Sequence, residues 1–269
     1  MKTLNELVPE VETYVTQMLI SETPKGLVYH TIDHTRYVVR QAEIIGMHEN
    51  LKEEEICILK IAAWFHDVGY LKKYRGHEEI SMKIANDYLK FLRADSNVIE
   101  QVLECIRATK VPQQPKNKIS AALCDADMMH MGTDQYFEIS KKLRKELNET
   151  SERPMKKKKF KLLSIETFKK HHYHTRYCQG EIALVKERNL AIMQEDNTNS
   201  EQSLDIKLSE KREKNKKSNS FSRGADTAPR GCPPARPTAP QRSTSWDPRW
   251  RWPVASERAA SRRNRQRSR

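Results

Sequence analysis

The chain has 269 residues, 37% of them hydrophobic and 32% charged, enough for one compact domain with polar sequence left over. No run approaches the roughly 20 apolar residues needed to span a bilayer, which excludes a membrane-spanning chain, and Met1–Glu10 lacks the apolar centre of a secretory signal, so a cytoplasmic location is expected. The formal net charge of +13 would suggest a nucleic-acid binder, but residues 206–269 hold 18 of the 49 Lys and Arg and only 5 of the 36 Asp and Glu, leaving 31 of each sign in residues 1–205.

In chain order, Leu4, Leu7, Val8, Val11, Val15, Met18 and Leu19 form one helical stripe, stopped at Thr23-Pro24-Lys25-Gly26. Val38, Val39, Ala42 and Ile45 form a second, running to about residue 47. A third, Ile56, Leu59, Ala62, Ala63 and Phe65, starts behind Glu53-Glu54-Glu55, where carboxylates favour a helix N-terminus, and ends at Gly69. Helical spacing recurs over about 77–92, 97–108, 119–131, 134–148 and 160–190, and no segment alternates with a period of two. The expected architecture is all-α: a single multi-helix bundle over residues 1–195, followed by a disordered basic tail over 196–269.

The stretch 144–170, whose run Lys156-Lys157-Lys158-Lys159 follows Pro154 at an expected helix start, reads as a solvated surface loop or as a patch that steers phosphates. The tail carries seven of the 12 prolines and three of the four tryptophans, and residues 218–269 use 12 Arg and no Lys. That shift in residue usage suggests that the last ~50 residues are non-native, from a frameshift, a gene-end artefact or a foreign fusion; sequencing the native transcript tests it. So few apolar residues cannot offset the entropy of ordering such a segment. Cys57, Cys105, Cys124, Cys178 and Cys232 are scattered, with no CxxC pair, and read as reduced thiols, not a disulfide framework or a zinc knuckle.

Four clusters of metal-ligand residue types stand in the first 130 residues: His30 to His34, His66-Asp67, His77-Glu78-Glu79, and Cys124-Asp125-Ala126-Asp127 with His130. His66-Asp67 ends an apolar helix, where a charged Asp needs a partner to offset its desolvation, and a metal would supply one. Each cluster also has a plain reading. His30 and His34, four apart, share a face if helical and then pack or face solvent; His66 and Asp67 could cap a helix; His77-Glu78-Glu79 could start one; Asp125 and Asp127 could solvate a turn. Further on, His171 and His174 would share a face of a long C-terminal helix, but the nearest carboxylates, Glu166 and Glu181, are over a turn away, which favours a structural role.

Together these segments, Tyr29-His30-x3-His34-Thr35, Ala62-Ala63-Trp64-Phe65-His66-Asp67-x-Gly69-Tyr70, Gly76-His77-Glu78 and Cys124-Asp125-Ala126-Asp127, resemble the HD-domain superfamily of metal-dependent phosphohydrolases, and within it a bacterial group of predicted phosphohydrolases. The resemblance covers a motif core of about residues 25–135. It implies an HD-type bundle and a divalent metal on His34, His66, Asp67 and a final carboxylate. Asp127 is preferred for the last place, with Asp125 a supporting partner or the alternative ligand. Residues Ile106 to Lys110 lack the further histidines of two-metal relatives, so one ion is expected. The mixed donors suit Mn²⁺, Fe²⁺, Zn²⁺ or Mg²⁺. His30 and His77 are then candidates for proton transfer or phosphate contact, and Arg107 and Lys110 for neutralising developing charge.

The function this implies is hydrolysis of a phosphomonoester or phosphodiester of nucleotide type by a metal-activated water. The competing classes are an HD-type nucleotide sensor regulating an effector, and nucleic-acid binding through the tail, where Trp246, Trp250 and Trp252 stand among arginines.

Overall fold

Nine helices and no strand make up the described residues of this computed structural model, 2–151 and 154–196, as the all-α expectation requires. The expectations for the tail, for Cys232 and for its three tryptophans lie outside these residues. The helices are α1 (Leu4–Glu22), α2 (Ile32–His48), α3 (Glu53–Phe65), α4 (His77–Phe91), α5 (Ser96–Ala108), α6 (Lys118–Asp127), α7 (Tyr136–Thr150), α8 (Lys157–Lys170) and α9 (176–196). Short 3-10 turns follow α3 (Val68–Leu71) and α6 (Met129–Gly132).

Helix α3 is the centre of the bundle. Every residue from Cys57 to Phe65 except Lys60 is buried, and α1, α2, α5 and α6 all pack on it, so its sequence is apolar all round instead of amphipathic. Its neighbours each bring one stripe, such as Leu7, Val11, Val15 and Leu19 of α1. Caps fix where helices begin: Thr3 and Glu6 form a capping box on α1, and Asn117 Oδ1 accepts from the Ser120 N–H (2.8 Å) on α6. Among the described residues no helix is long and apolar enough to cross a membrane.

Four sequence expectations need correction. His30 precedes α2, in a bend, so it shares no helical face with His34. The helix expected over 119–131 stops at Asp127 and tightens into the turn Met129–Gly132, against which α9 packs so closely that a Cβ on Gly132 would meet Ile182 Cγ2 at 2.5 Å. The helix expected over 160–190 is broken at 171–175. Buried Asp125 holds that break open by accepting the N–H of His174 (2.9 Å), the N–H of Thr175 (2.8 Å) and the Thr175 hydroxyl (2.6 Å). His171 and His174 are therefore not on a common helix. The lysine run is the exposed N-terminal end of α8, not a loop.

Candidate metal centre

Each ligand-type side chain in the cluster stands at a helix end. His34 is in the first turn of α2, His66 and Asp67 follow the last turn of α3, and Asp127 is the last residue of α6. The three ends meet because α2 and α6 both pack on α3. One donor atom from each of His34, His66, Asp67 and Asp127 lies within 4.8 Å of the others, a group that could hold a metal ion.

The contacts inside the group are close: His66 Nε2 to Asp67 Oδ2 3.1 Å, His34 Nε2 to Asp67 Oδ2 3.3 Å, His34 Nε2 to Asp127 Oδ1 3.5 Å and His66 Nε2 to Asp127 Oδ1 3.7 Å. His66 Nδ1 faces the Ala63 carbonyl at 2.7 Å and donates to it, so in the neutral ring the Nε2 lone pair points into the group. Nε2 of His34 and Nε2 of His66 are buried and make no hydrogen bond. Burial disfavours an imidazolium at His66, but Asp67 and Asp127 outweigh it and raise its pKa well above the usual imidazole value; His34 is raised likewise. Burial would raise the Asp67 carboxyl, yet the neighbouring histidines hold it well below its ordinary range, and Asp127 is also held low. The cluster thus draws positive charge to itself, and what its two carboxylates meet is imidazole. Two orphaned imidazole nitrogens facing two carboxylates are a donor set that suits a divalent cation.

A layer of rings and one carboxylate surrounds the four. His77, at the start of α4, places Nε2 3.4 Å from Asp67 Oδ1, and Tyr70 is stacked between His77 (centroids 3.7 Å) and His30 (4.0 Å). Gly69 permits this: a Cβ there would meet the His77 carbonyl oxygen at 2.0 Å, and its N–H donates to Ser81 Oγ (2.9 Å). His30 is hydrogen-bonded through Nδ1 to Glu146 of α7. His130 is buried, its ring pushed down to about 4 by burial, and Nδ1 donates to the Asp127 carbonyl (3.2 Å).

Of the residues singled out in the sequence, His34, His66, Asp67 and Asp127 are brought together, with His30 and His77 beside them. Asp125 contributes nothing to the group; on the other face of α6 it binds the 174–175 backbone. Lys110 is paired with exposed Glu79, and Arg107 is exposed on α5; neither is drawn into the cluster. Sequence reasoning misses Glu146 and gives Tyr70 and His130 no role. Glu146 sits 116 residues from His30 in a charged helix, with no local signal, whereas Tyr70 and His130 each adjoin a motif.

Residues 31–132 match the family model for the HD domain. Among solved structures, the chain is similar to a crystal structure of a predicted HD superfamily hydrolase from an uncultured Thermotogales bacterium, at 17% identity and a TM-score of 0.46, over 76% of this chain and 99% of that one. It is also similar to a crystal structure of a protein from Lactobacillus plantarum, at 14% identity and a TM-score of 0.52, over 74% and 97%; this second likeness is one of fold. The comparison with curated proteins gave no match. The matched residues run from the start of α2 to the turn after α6 and include all four clustered side chains. The match to the HD domain therefore spans the whole cluster, and together they support a metal-dependent hydrolase family.

Proposed function

We propose that the chain is a phosphohydrolase that holds one divalent ion, Mn²⁺, Fe²⁺, Zn²⁺ or Mg²⁺, on His34, His66, Asp67 and Asp127 and cleaves a phosphomonoester or phosphodiester of nucleotide type. The observation that carries this is the pair of buried, unpartnered Nε2 atoms facing two carboxylates. An ion bound there supplies Lewis acidity toward a phosphoryl oxygen and lowers the pKa of water. The nucleotide character of the substrate rests on the family resemblance alone.

The protein's own groups divide the remaining work. The Ala63 carbonyl orients His66, and His77 steadies Asp67 from the side away from His34 and His66, through its other oxygen. His30 stands at the edge of the cluster, its ring 5.6 Å from that of His34, where it can exchange a proton with water or a leaving oxygen. Arg107 and Lys110 have no support from their positions as charge neutralisers.

Metal content by mass spectrometry, on the wild type beside His66→Ala and Asp67→Ala, tests the reading when the same samples are screened against nucleotide phosphates. About one ion per chain, lost in both variants together with hydrolysis, is expected. An ion without turnover on any phosphate would move the assignment to a nucleotide sensor; no ion in the wild type would overturn it.

A further inference from the structure

Glu146 lies well inside α7, and its side chain has no exposed surface. A carboxylate so placed loses its hydration and is kept only where donors replace water. Its closest donors come from one dipeptide, 116 or 117 residues earlier, and the Tyr74 hydroxyl also bonds to it. Oε2 accepts the N–H of Tyr29 (2.7 Å) and of His30 (3.0 Å), and Oε1 pairs with His30 Nδ1. Burial pushes the Glu146 carboxyl up, but His30 and the two amides outweigh it and hold it below the ordinary range, so it is ionised.

An ionised carboxylate only accepts, so the proton between the two side chains belongs to Nδ1. In a neutral imidazole that leaves the lone pair on Nε2, at the other edge of the ring. The ring cannot swing away: it stacks on Tyr70 and meets His34 edge-on, with ring planes at 86°. The His30 side chain keeps 11% exposure where Glu146 has none, so His30 can touch a substrate and Glu146 cannot.

We propose that Glu146 is a positioning residue that fixes the Nδ1–H tautomer of His30 and presents Nε2 beside the metal ligands as the proton-transfer atom. Its catalytic part rests on the phosphohydrolase reading. In that reaction a water oxygen bonds to phosphorus as the bond to the leaving oxygen breaks, and Nε2 carries the proton from the water to the leaving oxygen.

Glu146→Gln separates this from a merely structural role. The amide oxygen can still accept both backbone N–H groups, but the NH₂ now faces Nδ1 and forces it to accept, which moves the ring proton to Nε2. In the full-length chain with ¹⁵N-labelled histidine, two-bond ¹H–¹⁵N spectra at alkaline pH should show His30 protonated at Nδ1 in the wild type and at Nε2 in Glu146→Gln, His30→Ala giving the assignment. With bis(p-nitrophenyl) phosphate, kcat should fall by about 10²-fold with KM little changed, and adding Glu146→Gln to His30→Ala should cost nothing more. An unprotonated Nδ1 in the wild type, an unmoved proton in the variant, or a moved proton with unchanged kcat would overturn the proposal. Should Glu146→Gln not fold, the wild-type spectrum decides the tautomer. Should the wild type cleave no ester, the phosphohydrolase reading falls, and the spectra still judge the hold of Glu146 on His30.

Discussion

Gly69→Ala tests how closely the ligand-bearing turn must lie against α4. The new Cβ would stand 2.0 Å from the His77 carbonyl oxygen, 2.7 Å from its carbon and 3.0 Å from His77 Cα, all backbone atoms that no rotamer can remove. The turn must retreat by about 1 Å or more. Two contacts span that gap, the Gly69 N–H bond to Ser81 Oγ (2.9 Å) and the approach of His77 Nε2 to Asp67 Oδ1 (3.4 Å). Overpacking of this kind costs about 1–3 kcal/mol, and an unsatisfied buried partner another ~1–3 kcal/mol, so a loss of about 4 kcal/mol is expected. At about 2–4 °C per kcal/mol for a unit of this size, the melting temperature should fall by about 10 °C. Asp67 lies two residues away, and disturbing a side chain that orients a ligand weakens metal affinity by about 10–100-fold. Calorimetric melting and Mn²⁺ titration measure both. A variant that melts within about a degree of the wild type and binds Mn²⁺ equally would refute the close packing from which the effect is derived.

The two acids of α6 should separate cleanly. Asp125→Ala strands the His174 and Thr175 N–H groups and should cost about 2–6 kcal/mol in urea unfolding, at ~1–3 kcal/mol for each unsatisfied buried donor, while the folded fraction keeps its metal; Asp127→Asn should lose the metal with little loss of stability in the metal-free protein. His171 gives a pH dependence of known sign. Burial, with Lys186 beside it, holds its ring down to about 3 from an ordinary 6.5, so below 6.5 the unfolded chain binds a proton that the folded chain refuses. Its contribution therefore destabilises the fold as pH falls from 6.5 toward 3, by up to about 1.4 kcal/mol per pH unit, and His171→Phe should flatten the slope of the urea midpoint against pH. A chain cut after Asp196 should unfold with an unchanged midpoint and keep its metal, because Met1–Asp196 is a compact unit with its own core.

Much of the fold was legible because burial writes a period into each helix. The stripes of α1 and α2 and the nearly unbroken apolar run of α3 gave their places to within a turn. The failures share one cause: the helical period continues where a distant group decides otherwise. Residues 160–190 carry helical spacing, but Asp125 competes for the N–H groups of His174 and Thr175, and no window of sequence contains both partners. Residues 30 and 34 have the spacing of one face, but the Tyr29 and His30 N–H groups are taken by Glu146, so the helix begins only at Ile32.

The candidate ligands were legible for a different reason. Helix ends are where the backbone leaves its regular path and where side chains of neighbouring helices can converge, so a polar ligand type there breaks an apolar run and is conspicuous. His66-Asp67 after Trp64-Phe65 and Asp127 after Leu123 stand out in this way. Groups that support ligands need no such break. Glu146, flanked by Lys145 and Leu147, looks like any acid of a charged helix, and its difference from exposed Glu138 on the same helix is burial alone. A carboxylate becomes a positioning group through what it is buried against, and that is set by how α7 docks beside the bend before α2, three-dimensional information that the local sequence of neither segment contains.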